Sequence, residues 1–313
     1  MPAAQDERPQ ERTLIARRPL KGAASGPGHN VIGLFGPTAS GKTAVAKAVA
    51  QRIPAELVAA DSMQVYRGLP LLTNQDSGVR LAGIWPLDRQ GTVGEFQQLA
   101  HEAIDEIVAA GRTAVVVGGS GLWFQAALTD VELPADVSAG ARARWERLYD
   151  RRGAATAHAL LARRDPRAAA RVHPNDRKRV VRALELWQAG GTLVPERARL
   201  WTASLRLPTL ILGLEVPRGV LAARIRSRAE AMFEQGVEEE VRAAGNVVPQ
   251  VLGLEAVRTL PRAGAVEELV RATLRLAAYQ RKWMRRIPGI VMIDADRPAG
   301  KVADAILEVA RAG

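Results

Sequence analysis

The sequence predicts an α/β fold, a doubly wound parallel sheet interrupted by a basic, all-helical insertion. Three observations carry this. Short apolar runs closed by glycine or aspartate alternate with helical-period segments up to about residue 133. The same alternation resumes near residue 197. Between them, 134–196 is rich in Arg and Ala and offers no strand candidate.

In chain order, residues 1–29 carry Pro, Gly, Ala and charge of both signs, and read as a disordered tail. Val31-Ile-Gly-Leu-Phe35 is an apolar run stopped by Gly-Pro, the pattern of a buried parallel strand. Ala44 to Arg52 reads as a helix, and Leu57 to Ala60 as a second strand ending at Asp61. Phe96, Leu99, Ala103, Ile104, Ile107 and Val108 fall at helical spacing over 94–110, and Thr113 to Val117 is a third strand broken by Gly118-Gly119. After the insertion, Leu210 to Leu214 is a strand and helices follow over about 218–235, 237–244 and 265–286. Val291-Met-Ile293 is the last strand before a terminal helix. The expected domains are therefore 30–133 with 197–313 as the sheet core and its C-terminal helices, and 134–196 as the insertion.

Composition narrows the chemistry. At 313 residues the chain buries a core without staples, and with no cysteine it excludes disulfides and thiolate metal sites. His29, His101, His158 and His173 are scattered, none at ligand spacing from another, and His173 before Pro174 reads as a turn residue. No run approaches the ~18 apolar residues of a membrane span, and no signal peptide is visible, so a cytoplasmic protein is expected. The net charge is +11 and only six residues are lysine, so arginine supplies most of the positive charge. Codon bias alone could produce that. Its distribution is more telling: residues 135–200 hold fifteen Lys/Arg against seven Asp/Glu, an excess of eight. Clustered charge of one sign is the footprint of a polyanion partner, set against the plainer reading of a solvated helical surface.

Gly36-Pro-Thr-Ala-Ser-Gly-Lys-Thr43 matches the phosphate-loop pattern in full and sits between a strand and a helix. The fold expected is accordingly a P-loop NTPase-like one. Backbone N–H groups of Gly36, Thr38, Ala39, Ser40 and Gly41 would form a nest at a helix N-terminus. Lys42 would reach an outer phosphate, and the Thr43 hydroxyl suits Mg²⁺. Asp61 ends the next strand, where ligand sites of such sheets form. It reads either as a cap on the following turn or as a carboxylate on magnesium or acting as a general base. Gly118-Gly119-Ser120-Gly121 closes the third strand, and its glycines either turn the chain or permit close approach at a pocket rim. Arg179 and Arg182 would contact a polyanion partner or pair with Glu185, and Trp283 reads as core more readily than as a stacking platform.

The combination goes further than any single motif. The loop at 36–43, Asp61-Ser-Met-Gln-Val-Tyr66, Gly118-Gly-Ser-Gly-Leu-Trp123 and Asn175-Asp-Arg-Lys-Arg-Val-Val-Arg-Ala-Leu-Glu185 occur in one order. Arg224-Ile-Arg-Ser-Arg228, Met232, Gly236, Val237-Glu-Glu-Glu-Val241, Gln280 and Trp283 follow. In these motifs, spanning about 31–293, the chain resembles the tRNA dimethylallyltransferases, or tRNA isopentenyltransferases. The resemblance implies transfer of a dimethylallyl group from dimethylallyl diphosphate to the exocyclic amine of adenosine 37 of tRNA. It implies Asp61 as the base, Ser120 and Arg228 as diphosphate holders, Mg²⁺ on Thr43, and a basic insertion gripping the anticodon stem-loop. Candidate tRNA contacts are Gln64, Arg163, Arg164, Arg167, Arg179, Arg182, Gln280 and Arg281, in a protein expected to act as a monomer.

The chain departs from that family in places. Ser120 stands where threonine is usual, and Leu72-Thr-Asn-Gln75 lacks the family's lysine. A usual histidine is absent near Ala82-Gly83, Gly253-Leu-Glu-Ala256 is reduced, and Ala278-Tyr279 replaces a basic run before Gln280. Two other readings stand beside the first: a P-loop kinase of a small metabolite, and a weakly active RNA-binding member of the fold.

Overall fold

The computed structural model describes residues 28–131, 139–193, 204–247 and 249–312; the tail expected over 1–29 lies outside these apart from Gly28 and His29. The chain divides into two compact units. One takes in the residues up to 91, 96–129 and those from 204 onward; the other comprises 92–95 and 130–203.

The larger unit is built on five strands: β1 (Val31–Phe35), β2 (Ala55–Ala59), β3 (Thr113–Gly118), β4 (Thr209–Glu215) and β5 (Val291–Asp294). Their order is β2-β3-β1-β4-β5, and every pairing is parallel. β1 is buried at all five residues because strands flank it on both edges and helices cover both faces. The helices of the chain are α1 (Lys42–Ala50), α2 (Pro70–Thr73), α3 (Val93–Ala109) and α4 (Gly121–Leu128), then α5 (Ala139–Arg164), α6 (Pro166–Ala169) and α7 (Arg177–Gln188). After β4 come α8 (Arg218–Glu234), α9 (Val237–Ala243), α10 (Leu254–Thr259) and α11 (Arg262–Met284), with α12 (Ala299–Ala312) last. Phe35 and Phe124 meet edge-on at 5.2 Å beneath the sheet's ligand-facing end.

The smaller unit is helical throughout its described residues. α5 is broken at Gly153, which adopts φ 80° and ψ 163°. Trp145, Leu161, Val172, Val180 and Leu184 form its core with α6 and α7. Its buried acids are all partnered. Asp165 caps α6, accepting from the Ala168 N–H at 2.9 Å and the Thr192 hydroxyl at 2.6 Å. Glu185, 1% exposed, is held by Arg142 at 3.0 Å and Arg182 at 3.4 Å. Among the described residues no helix is long and apolar enough to cross a membrane.

Candidate active site

The carboxyl ends of β1, β2 and β3 converge, as parallel sheets require, and the loops leaving them build a cleft of about 510 Å³. Gly36 through Ser40 turn the chain from β1 into α1. Gly41, at φ 85°, occupies the N-cap without any side-chain cap. The first turn of α1 also carries no acidic residue. Its orphan N–H groups and the positive end of its dipole are therefore left to an anion. Thr38, Ala39, Gly41, Lys42 and Thr43 line the cleft, while Gly36 is buried at the end of β1. Ser40 is 1% exposed, and its Oγ has no partner among the described residues.

Three contacts fix the loop, one within it and two from distant helices. Lys42 Nζ donates to the Pro37 carbonyl at 2.8 Å. Arg228, reaching in from α8, donates to Thr38 Oγ1 at 2.9 Å, and the Thr38 N–H donates to Gln280 Oε1 of α11 at 2.7 Å. Burial holds the Lys42 ammonium down at about pKa 8, with Asp61 opposing the shift and Arg228 adding to it. Burial likewise pushes Arg228 below its ordinary value, opposed by Asp61. Lys42, Arg228 and Asp61 thus act on one another within the cleft, and two cations to one carboxylate is a balance that suits an anion.

Asp61 caps the turn that follows it, its Oδ1 accepting the Met63 N–H at 3.0 Å, and the residue also lines the cleft. Ser120 acts one step back: its Oγ accepts the Ser62 N–H at 3.2 Å and lies 3.2 Å from Ser62 Oγ, tying the loop that carries Asp61 to the start of α4. The glycines around it are there for close approach. A Cβ on Gly119 would lie 2.4 Å from Gln280 Nε2, and one on Gly121 2.3 Å from the Trp283 ring. Gln64 lines the cleft and donates to the Asn74 carbonyl at 2.7 Å.

The remaining candidates are placed differently. Arg281 turns toward Glu215, 3.9 Å away, with its side chain 16% exposed. In the smaller unit, Arg163, Arg164, Arg167 and Arg179 are exposed. Arg164 stacks over the Trp187 ring at 4.7 Å, and Arg182 pairs with Glu185. The apolar lining of the cleft escapes a reading of the sequence: it is made by Met63, Ile225, Met232, Leu252, Leu269 and Leu276. The helical spacing of Ile225 and Met232 on α8 and of Leu269 and Leu276 on α11 is equally that of ordinary core, so spacing alone gives no signal that they face a cavity.

The donor set fits a magnesium ion only in company. No group of three His, Asp or Glu able to hold a metal occurs among the described residues. Thr43 at the cleft offers a hydroxyl that suits an ion taking most of its oxygens from a phosphate ligand and water.

Comparison with known proteins agrees with this geometry. The IPP transferase family model matches residues 64–287, and the isopentenyl transferase model matches 29–81. The chain is 39% identical to the tRNA dimethylallyltransferase of Acidothermus cellulolyticus, covering 90% of this chain and 92% of that one. It is 38% identical to that of Streptomyces coelicolor, over 89% and 93%. Among solved structures, the tRNA isopentenylpyrophosphate transferase of Bacillus halodurans superposes with a TM-score of 0.63 at 28% identity, covering 90% of this chain and 97% of that one. A eukaryotic dimethylallyltransferase acting on tRNA shares the fold with a TM-score of 0.72 at 24% identity, over 89% and 78%. A phosphate loop on the strand order β2-β3-β1-β4-β5, matched by family models and by relatives along nine-tenths of its length, leaves one conclusion: this chain belongs to the IPP transferase family, the tRNA dimethylallyltransferases.

Proposed function

We propose that this chain transfers a dimethylallyl group from dimethylallyl diphosphate to the exocyclic amine of adenosine 37 in tRNA, releasing diphosphate. The observation that carries it is the mixed lining of one cleft: α1's N-terminus, Lys42 and Arg228 together with Met63, Met232, Leu252, Leu269 and Leu276. A molecule with a doubly phosphorylated head and a short hydrocarbon tail matches both kinds of lining at once.

The amine nitrogen attacks the allylic carbon, whose bond to the diphosphate oxygen breaks with its electron pair leaving on that oxygen. The loop amides, Lys42 and Arg228 stand where this negative charge gathers, in an enclosed site where such groups act most strongly. Asp61 accepts the proton lost by the amine, and its tie to the Met63 N–H fixes the carboxylate for that task. Ser120 supports the Asp61 loop through Ser62. Thr43 would hold Mg²⁺ against the diphosphate, where it would help neutralise the charge of the leaving group. The exposed arginines Arg163, Arg164, Arg167 and Arg179 suit the phosphates of the anticodon stem. The enzyme is taken to act as a cytoplasmic monomer.

The test is direct. The protein is incubated with dimethylallyl diphosphate, Mg²⁺ and tRNA from a strain lacking the modification, and the nucleosides are read by mass spectrometry. Prenylated adenosine is expected at position 37. Its absence, together with tighter binding and turnover of ATP by calorimetry and product assay, would refute the reading.

A further inference from the structure

α11 turns Leu269, Thr273, Leu276 and Gln280 toward the cleft. The neighbouring stripe of the same helix, spaced four, three and four residues along, is Arg275, Tyr279, Lys282 and, just past the helix end, Arg286. Tyr279 is 57% exposed, the most exposed large apolar side chain among the described residues. Its ring stands edge-on to Trp283, with centroids 6.4 Å apart at 72°. The Trp283 indole is in turn seated against Gly121, where any Cβ would collide with it. A half-exposed phenol ring is thus braced from one side and presents its remaining surface to solvent. It is also one peptide away from Gln280, which is 3% exposed and accepts the Thr38 N–H of the phosphate loop. Lys282 and Arg286 are exposed, and neither has a carboxylate at ion-pair distance among the described residues. Arg281, between them in sequence, is turned aside to Glu215.

A rigid aromatic face flanked by cations is what an unpaired nucleotide needs: a surface for its base and charges for the phosphates on either side. We propose that Tyr279 is the stacking platform for a loop nucleotide adjacent to the acceptor adenosine, with Lys282 and Arg286 holding its phosphates. This rests on the reading that the acceptor is RNA. Trp283, which the sequence offered for stacking, is the brace and not the platform.

An anticodon stem-loop RNA carrying 2-aminopurine next to the acceptor position reports stacking by fluorescence quenching. Wild-type protein is expected to quench it, Tyr279→Phe and Tyr279→Trp to retain the quench, and Tyr279→Ala to lose it. The alanine variant is expected to weaken RNA binding roughly 5- to 150-fold. Its dimethylallyl diphosphate affinity and melting temperature should stay as in wild type, since the ring is mostly exposed. A Tyr279→Ala variant that binds and quenches like wild type, or a Tyr279→Phe variant as impaired as alanine, overturns the platform while leaving prenyl transfer by the wild type intact. A wild type that neither binds the RNA nor prenylates tRNA overturns the proposed function and the platform together.

Discussion

Lys42 is the residue whose state decides how strongly the cleft holds an anion. Its enclosed ammonium has a pKa of about 8 against an ordinary 10.5, so the folded protein disfavours the charge it needs for binding. The sign follows. Because folding lowers this pKa, the unfolded chain holds the proton more tightly between pH 8 and 10.5, and this group makes stability rise with pH there. Binding runs the other way. Diphosphate affinity attributable to Lys42 is expected to be steady below about pH 8 and to fall by up to tenfold per unit above it. Calorimetry across that range would show the decline, and Lys42→Met would abolish both the contribution and its pH dependence. Asp61 is tested at the same scale. Asp61→Asn keeps an oxygen for the Met63 N–H but loses the base, so single-turnover transfer is expected to fall about 10²–10⁴-fold with diphosphate binding retained. A rate within threefold of wild type would remove Asp61 from that role.

At the scale of elements, the site depends on short pieces that only tertiary contacts hold in place. α2 is a single turn whose Leu71 and Leu72 N–H groups both donate to the Glu240 carboxylate of α9, at 2.7 and 2.8 Å. Two charge-assisted bonds at a helix start make Glu240→Ala cost about 1–2 kcal/mol, read from the denaturant midpoint. The loss loosens Thr73 and Asn74, whose carbonyls hold Gln64. Gly121→Ala drives a methyl into the Trp283 ring and is expected to cost about 1–3 kcal/mol. These pieces also mark where the sequence stops being legible. β1, β3 and α3 announce themselves, because a buried parallel strand is a continuous apolar run and α3 has a long periodic face. α2, α4 and α10 do not: they are four to eight residues long, too short for a period to declare itself. The phosphate loop was legible because its chemistry demands fixed residue types at fixed spacing. Arg228 and Gln280 reach it from 190 and 242 residues away in sequence, so physical reasoning on one chain finds them only through a family resemblance.

The whole molecule divides its chemistry between two units of different character. The larger confines a few enclosed charges around a cleft, and the smaller spreads arginine over an exposed helical surface. Part of that arginine is structural. Arg142 and Arg182 hold Glu185, Arg177 is engaged by Asp150 at 2.7 Å and Glu146 at 3.4 Å, and Arg164 lies on Trp187. Removing these would mix any loss of RNA binding with a loss of these intramolecular contacts. Arg163, Arg167 and Arg179 are the better probes, since they are exposed and carry their charge at the surface. A duplex stem presents closely spaced phosphates, and each one neutralised by an arginine releases a counterion. The logarithm of the binding constant therefore falls linearly with the logarithm of salt concentration. The triple variant Arg163→Ala/Arg167→Ala/Arg179→Ala is expected to bind tRNA more weakly at low salt and to flatten that slope by about two to three. Dimethylallyl diphosphate affinity should not move, because the phosphate loop belongs to the other unit. Filter binding over a salt series measures the slope. If these side chains only solvate their helices, the triple variant will reproduce the wild-type line, and the steep salt dependence must then come from other exposed cations, among them Lys282 and Arg286 of the larger unit.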